Sequence, residues 1–370
     1  MSSDPFEIFL VATPGLEAPL AAEAAGLGFE PEIQPGGLTV HGHWPDIWRA
    51  NLMLRGATRV LVRIGAFRAM HLAQLDKRAR KFPWDQFLRP DVAVRVEATS
   101  RKSRVYHAGA ITQRFERAIS EELGAPIAAD APITIKIRIE DDLCTISLDT
   151  TGESLHKRGH KQAVAKAPMR ETMAAMFLRE MGFDGSQPVL DPMCGSGTFV
   201  IEAAEMAAGL VAGRARGFAF EQLAGFDVAA LTPLRGAEPV TRPATQFFGS
   251  DRDAGAVRMS GENAMRAGVA DWVRFETRSV ADLQRPEGPA GIVIINPPYG
   301  ARVGNKGPLY GLHAAMGQVL RDRFAGWRVG IVTSEGGLAK ATGLPFQPAG
   351  PIVAHGGLKV RLWQTGPLGG

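Results

Sequence analysis

The stretch I-V-I-I-N-P-P-Y-G, residues 292–300, sets four β-branched apolar residues directly against an amide, two prolines and a tyrosine. Such an apolar run is the mark of a buried strand. Prolines cannot donate to a ladder, and the residue before a proline is pushed out of helical space, so the strand must stop at Asn296. A polar side chain is thereby held at a strand's end, which is where open α/β sheets place their ligands.

Outward from this strand, the surrounding sequence alternates strands with helices. Helices are predicted over 169–181, 198–208, 254–267 and 310–323, and strands end at V-L-D (189–191), F-F-G-S-D (247–251), Thr277 and Thr333. That alternation implies a doubly wound, mostly parallel sheet. Residues 209–245, rich in Gly, Pro, Ala and Arg, read as a long loop with limited helix. Ahead of about residue 163 the texture differs. R-V-L-V-R-I (59–64), D-V-A-V-R-V-E-A (91–98) and I-T-I-K-I-R-I-E (133–140) alternate as half-buried strands should, with helices over 45–56, 72–81 and 111–123. This predicts an α+β region built from small antiparallel units.

A chain of 370 residues is long enough for two or three packed domains. Its apolar stretches are too short to span a bilayer, and the acidic N-terminus M-S-S-D-P-F-E-I lacks the pattern of a secretory signal, so a cytoplasmic protein is expected. The two cysteines, Cys144 and Cys194, are far apart, which supports neither a disulfide framework nor a zinc site. The formal net charge is only +4, but Arg55 to Ala118 carries fifteen Lys and Arg against five Asp and Glu. A second basic cluster, H-K-R-G-H-K, occupies 156–161. Two such clusters in one chain suit a polyphosphate partner.

Three segments carry chemistry. In D-P-M-C-G-S-G-T (191–198) an acid closes a strand, a glycine turn follows and a helix begins, a pattern that lets backbone approach a ligand closely. It lacks the third glycine of a dinucleotide fingerprint and any phosphate-binding lysine. In G-S-D-R-D (249–253), Asp251 is placed to accept from ribose hydroxyls, whereas Asp253 reads as a helix cap. In N-P-P-Y (296–299), the Asn296 and Pro297 carbonyls can both accept from an exocyclic amino group, directing its lone pair at an electrophile. Tyr299 offers a face for a flipped base.

Together with L-H-K-R-G-H-K (155–161), A-P-M-R-E-T (167–172) and G-F-A-F-E (217–221), these segments resemble those of the bacterial THUMP-containing RNA guanine-N2 methyltransferases, nearest those acting on 23S ribosomal RNA. The resemblance covers nearly the whole chain. It implies a ferredoxin-like piece over 1–42, an RNA-gripping THUMP domain over 43–155 and a Rossmann-like class I methyltransferase domain over 156–370. It further implies S-adenosylmethionine as methyl donor. Asp191, Met193, Gly195, Ser196 and Gly197 would line its methionine part, with Cys194 and Thr198 in the same loop, and Asp251 would hold its ribose. Where relatives usually carry Asp at the end of the third strand, this chain has Ser279, so the adenine falls to Ser279 or to Asp282. Asn296, Pro297, Pro298 and Tyr299 would form the catalytic motif. Arg101, Lys102, Arg104, Lys157, Arg158 and Lys161 are the expected RNA contacts. The second methyltransferase module fused in some relatives is not expected here.

No strong base is required by this chemistry, because proton loss can follow methyl transfer, so positioning carries the rate. His156 and His160 are read as packing or phosphate contacts rather than bases, and Cys194 as a small loop residue rather than a nucleophile. Transfer to guanine N2 of 23S ribosomal RNA is the primary expectation, with tRNA as the alternative substrate. A non-catalytic RNA-binding or ribosome-assembly factor with a vestigial cofactor pocket, and amino methylation of DNA or a protein glutamine, are the competing readings.

Overall fold

The computed structural model describes residues 4–162, 169–236, 240–298 and 307–369. The chain divides into two compact units, Met1–Ala12, Ala21–Leu155 and Arg216–Gly236 forming the first, and Thr13–Leu20, His156–Ala215 and Ala237–Gly370 the second.

The N-terminal elements are β1 (Phe6–Val11), α1 (Glu17–Gly26), β2 (Glu32–Gln34), β3 (Gly37–Gly42), α2 (Trp44–Met53), β4 (Arg59–Arg68), α3 (Leu72–Arg80), β5 (Val94–Arg101), α4 (Ala108–Leu123), β6 (Ile133–Glu140) and β7 (Leu143–Asp149). One seven-stranded sheet gathers all seven strands in the order β2-β3-β1-β4-β7-β6-β5. Its strands alternate in burial as their sequences do. In β6, for example, Ile133, Ile135, Ile137 and Ile139 are buried, and Arg138 between them is exposed. The expectation of antiparallel units holds except at one edge, where β5 pairs with β6 in parallel from Val94↔Ile133 to Arg101↔Glu140. The sixteen-residue α4 between them is the crossover that a parallel pair requires.

The second unit carries α5 (Glu171–Glu180), β8 (Val189–Asp191) and α6 (Thr198–Ala207). After α7 (Val228–Arg235), which groups with the first unit, come β9 (Phe247–Asp251), α8 (Ala254–Ala267), β10 (Val273–Thr277), β11 (Ile292–Ile295), α9 (Gly307–Arg323), β12 (Arg328–Thr333), α10 (Gly336–Ala341), β13 (Val353–His355) and β14 (Leu358–Gln364). The sheet order is β10-β9-β8-β11-β12-β14-β13. The first five strands are mutually parallel, and β14 runs antiparallel to both β12 and β13. The closing hairpin went unread in the sequence, although its turn is H-G-G-L, with Gly356 and Gly357 at φ 55° and 83°. Two left-handed residues are what a tight hairpin turn demands.

All four side chains of β11 are fully buried, as befits a central parallel strand covered on both faces. Each contributes about 1.5–3 kcal/mol relative to exposure. Val293 and Ile295 join Val329, Ile331, Met316, Leu320, Phe324 and Trp327 in the core between the sheet and α9. The sheet switches direction of winding at β8 and β11, so their carboxyl ends open a crevice between diverging connections.

Candidate cofactor and base site

Asp191 ends β8 with its side chain 2 % exposed, and its Oδ1 accepts from the Met193 N–H at 3.0 Å. Burial pushes its carboxyl up to about 8. The Met193 bond opposes this shift, and the neighbouring Asp251 charge adds to it. The loop then turns on Gly195 and Gly197, both left-handed at φ 54° and 81°. A Cβ on Gly197 would also lie 3.1 Å from Ser260 and from the Phe275 ring, so space as well as conformation selects glycine there.

The ends of the neighbouring strands are tied to this loop by hydrogen bonds. Asp251, at the end of β9, accepts from the Gly195 N–H at 3.1 Å through one oxygen and from the Asp253 N–H at 3.0 Å through the other. Asp253 is the cap of α8, its Oδ1 accepting from the Gly255 N–H at 2.7 Å, as read from the sequence. The Arg278 N–H donates to the Asp251 carbonyl, joining the end of β10. There Ser279 donates to Asp282 Oδ2 at 2.7 Å. The two candidates for an adenine contact are therefore one hydrogen-bonded pair, exposed at Asp282 and half-buried at Ser279.

Two residues that the sequence reading missed fix the loop from α8. Ser260 donates to the Gly195 carbonyl at 3.0 Å, and Asn263 donates to the Ser196 carbonyl at 3.1 Å. Both lie in the buried stripe Ala256, Ser260, Asn263, Ala264, Ala267. A polar residue inside such a stripe was the available signal, since buried polar groups need a partner. Cys194 is buried with its Sγ 3.7 Å from Ser260 Oγ, and burial raises its thiol far above the usual range, so it is no nucleophile.

At the end of β11, beside β8, Asn296 is half-buried, Pro297 buried and Pro298 exposed. The Asn296 Oδ1 is itself buried and has no hydrogen-bond partner among the described residues. A buried acceptor left unpaired costs about 1–3 kcal/mol, and such atoms cluster where a ligand completes them. Tyr299 lies outside the described residues.

The basic segment 156–161 departs from its expected role. Lys157 is exposed, but Arg158 is 2 % exposed and its Nε donates to Glu202 Oε1 on α6 at 3.1 Å, with Glu202 1 % exposed. A guanidinium enclosed in this way faces the Glu202 carboxylate of α6 and not solvent, whereas the expected RNA contact needs an open cation. Lys161 Nζ donates to the Met169 carbonyl at 2.9 Å and to Thr198 Oγ1 at 3.0 Å, and lies 3.2 Å from Glu171. It too is turned toward the start of α6. Burial, and then the cations Arg170, Lys161, Arg158 and Lys157, press the His156 imidazole down to about 4. His160 is buried and lowered by burial, and the Glu205 carboxylate 3.7 Å away takes Arg214 at 2.5 Å instead. Arg101, the last residue of β5, and Lys102 and Arg104 in the connection that follows are exposed on the first unit.

A parallel sheet whose first strand ends in an acid and glycine turn, whose second ends in an acid and whose fourth ends in N-P-P defines a class I methyltransferase domain. Residues 158–345 match the RMKL-like methyltransferase domain, 7–61 the RlmL ferredoxin-like domain and 69–149 the THUMP domain. The chain belongs to this RMKL-like family of S-adenosylmethionine-dependent methyltransferases. It is 31 % identical over 96 % of its length to a Synechocystis protein provisionally named RNA methyltransferase slr0064, covering 95 % of that protein. It is 32 % identical over 88 % of its length to the ribosomal RNA large subunit methyltransferase K/L of Aliivibrio salmonicida, spanning 48 % of that longer protein. In structure it resembles SMU.472, provisionally assigned as a methyltransferase and crystallised with SAH, at TM-score 0.88 and 28 % identity, each chain covered in full. Among the described residues, no helix is long and apolar enough to cross a membrane.

Proposed function

We propose that this protein methylates the exocyclic N2 amino group of a guanine in RNA, with 23S ribosomal RNA as the substrate. The observation that carries this reading is the buried Asn296 Oδ1 at the end of β11, which has no partner among the described residues. It offers an acceptor, in a dry setting, for an N–H of an amino group presented at the crevice. The residues present fit the cofactor as well. The left-handed Gly195–Gly197 turn leaves backbone open to approach, and Asp251, a carboxylate at the end of β9, is a suitable acceptor for a ribose hydroxyl. Bound S-adenosylmethionine supplies an electrophilic methyl carbon.

The chain's part is placement. Asn296 Oδ1 and the Pro297 carbonyl accept the two amino hydrogens, which weakens conjugation of the nitrogen with the ring and aims its lone pair. Asp191 and Met193 with Ser196 line the methionine end, Thr198 opens the helix behind them, and the Ser279–Asp282 pair meets the adenine. Tyr299 follows directly in sequence and supplies the stacking face. The proton leaves after transfer, so neither His156 nor His160 is needed as a base. RNA as substrate is supported by the THUMP match and by the names of the relatives, one of them a large-subunit ribosomal RNA methyltransferase, and guanine N2 by the resemblance of this chain's own motifs.

Incubation with methyl-labelled S-adenosylmethionine and total RNA from a strain lacking the gene tests the reading. N2-methylguanosine should appear in 23S RNA with the native protein and fall by about 10²–10³-fold with Asn296→Ala, the usual scale for one lost preorganised hydrogen bond at a reacting centre. Label confined to tRNA, or to another atom, would replace the substrate or the base named here.

A further inference from the structure

Among the described residues, only three that are not glycine have positive φ, namely Lys102 at 47°, Asp141 at 49° and Asp142 at 62°. All three meet at one place on the first unit. Asp141 and Asp142 form the two-residue turn between β6 and β7, where left-handed residues are the rule. Lys102 has no such excuse. It stands in the connection K-S-R-V-Y-H, 102–107, between β5 and α4, and a lysine there stays left-handed only if its surroundings hold it.

Those surroundings are specific. The Arg104 N–H donates to Asp142 Oδ1 at 2.8 Å, the Asp142 N–H donates to Ser103 Oγ at 3.1 Å, and Ser103 Oγ donates to the Arg101 carbonyl at 2.7 Å. Ser100 Oγ donates to the Val105 carbonyl at 2.7 Å, and Val105 is buried as the anchor of the loop. Immediately after that anchor Tyr106 is 78 % exposed. The Arg101 and Arg104 side chains are each 70 % exposed, with their paired acids no nearer than 3.7 and 3.9 Å. Met70, 46 % exposed, lies beside them, its sulfur 3.5 Å from Arg104 Nη1. His107 then caps α4, accepting from the Ala110 N–H through Nδ1, so its proton sits on the outer nitrogen, Nε2.

An aromatic ring left in water and close in sequence to three exposed cations, on a loop pinned into a strained shape, is a poor solution for folding and a good one for binding. We propose that Tyr106 is a stacking platform for an unpaired nucleotide of the RNA substrate, with Arg101, Lys102 and Arg104 neutralising the phosphates on either side. Base–aromatic stacking tolerates any base, and a pinned loop avoids the ordering cost that a flexible one would incur. The proposal rests on RNA being the substrate and assigns to the first unit the role of capturing a single-stranded segment.

The test uses the full chain and two labelled RNA hairpins, one blunt and one with a short unpaired extension. The native protein should prefer the extended hairpin. Tyr106→Ala should weaken binding to it by about 5- to 150-fold, the range for loss of one base stack, while leaving the blunt hairpin nearly unaffected. Tyr106→Phe should bind as the native protein does. Replacing both Arg101 and Arg104 by Ala should lower the slope of log affinity against log salt by about 1.4. Equal preference for the extension in Tyr106→Ala and native protein overturns the platform while leaving the proposed methyl transfer intact, because Asn296→Ala reports on that separately. Failure of native protein to bind either RNA or to label any RNA overturns the proposed function and the platform with it.

Discussion

Replacing Arg158 by Met discriminates between a phosphate contact and a buried clamp. In the folded chain the Arg158 guanidinium and the Glu202 carboxylate are both at most 2 % exposed and 3.1 Å apart. Removing the cation takes away the guanidinium 3.1 Å from this buried carboxylate, a loss of about 3–5 kcal/mol for pairs of this kind. For a unit of roughly 200 residues each kcal/mol lowers the melting midpoint by about 2–4 °C, so Arg158→Met should melt about 6–20 °C below the native protein. Adding Glu202→Gln should recover most of that loss, because the double variant removes the buried carboxylate that Arg158 faces. Differential scanning fluorimetry on the three proteins, with S-adenosylmethionine titrated by calorimetry below the midpoint, reads both stability and the proposed cofactor loop ahead of α6. A single variant that melts within about 2 °C of the native protein yet loses RNA affinity would refute the clamp and restore the phosphate role.

Asp251→Ala removes the acceptor for the Gly195 and Asp253 N–H groups and the proposed acceptor for a ribose hydroxyl. Cofactor affinity by calorimetry should fall at least about tenfold, the scale of one hydrogen bond to a charged group, and an unchanged affinity would remove Asp251 from the site. Asp191 has a folded carboxyl raised to about 8, so its stabilising contribution is full below the unfolded value near pH 4 and is lost as pH rises through 8. Denaturant unfolding without cofactor should therefore show native protein losing about 1.4 kcal/mol per pH unit relative to Asp191→Asn between pH 6 and 8, and a constant difference would contradict the buried acid. Both cysteines are buried with raised thiols, Cys144 to about 12, so neither should react with iodoacetamide at pH 8 until the chain is unfolded; rapid labelling of folded protein would show the Cys194 loop to be open.

Much of this protein was written in short-range patterns. The β-branched run before Asn296 specified a buried strand, the alternation in β6 specified a half-buried one, and the D-R-D cap placed the start of α8 to the residue. Each depends on chemistry within a few positions, so one sequence suffices to read it. The glycine turn after Asp191 belongs to the same class, because left-handed backbone is a local demand. The parallel pairing of β5 with β6 was not legible in this way. An alternating strand has the same pattern in either direction, and the choice is made by where α4 returns the chain.

The tertiary structure alone decided what the charges do. Arg158, Lys161 and Lys157 look alike in H-K-R-G-H-K, yet the first is enclosed against Glu202, the second turned to Thr198 and only the third exposed. Likewise Ser260 and Asn263 are ordinary helix residues until packing sets them beneath the 195–197 loop, and Tyr106 is one aromatic among many until the fold leaves it in water. Periodicity along the chain fixes which residues can be inside an element. Which of them meet, and whether a charge ends in solvent or against a carboxylate, depends on contacts between residues dozens of positions apart, and those exist only once the sheets have formed.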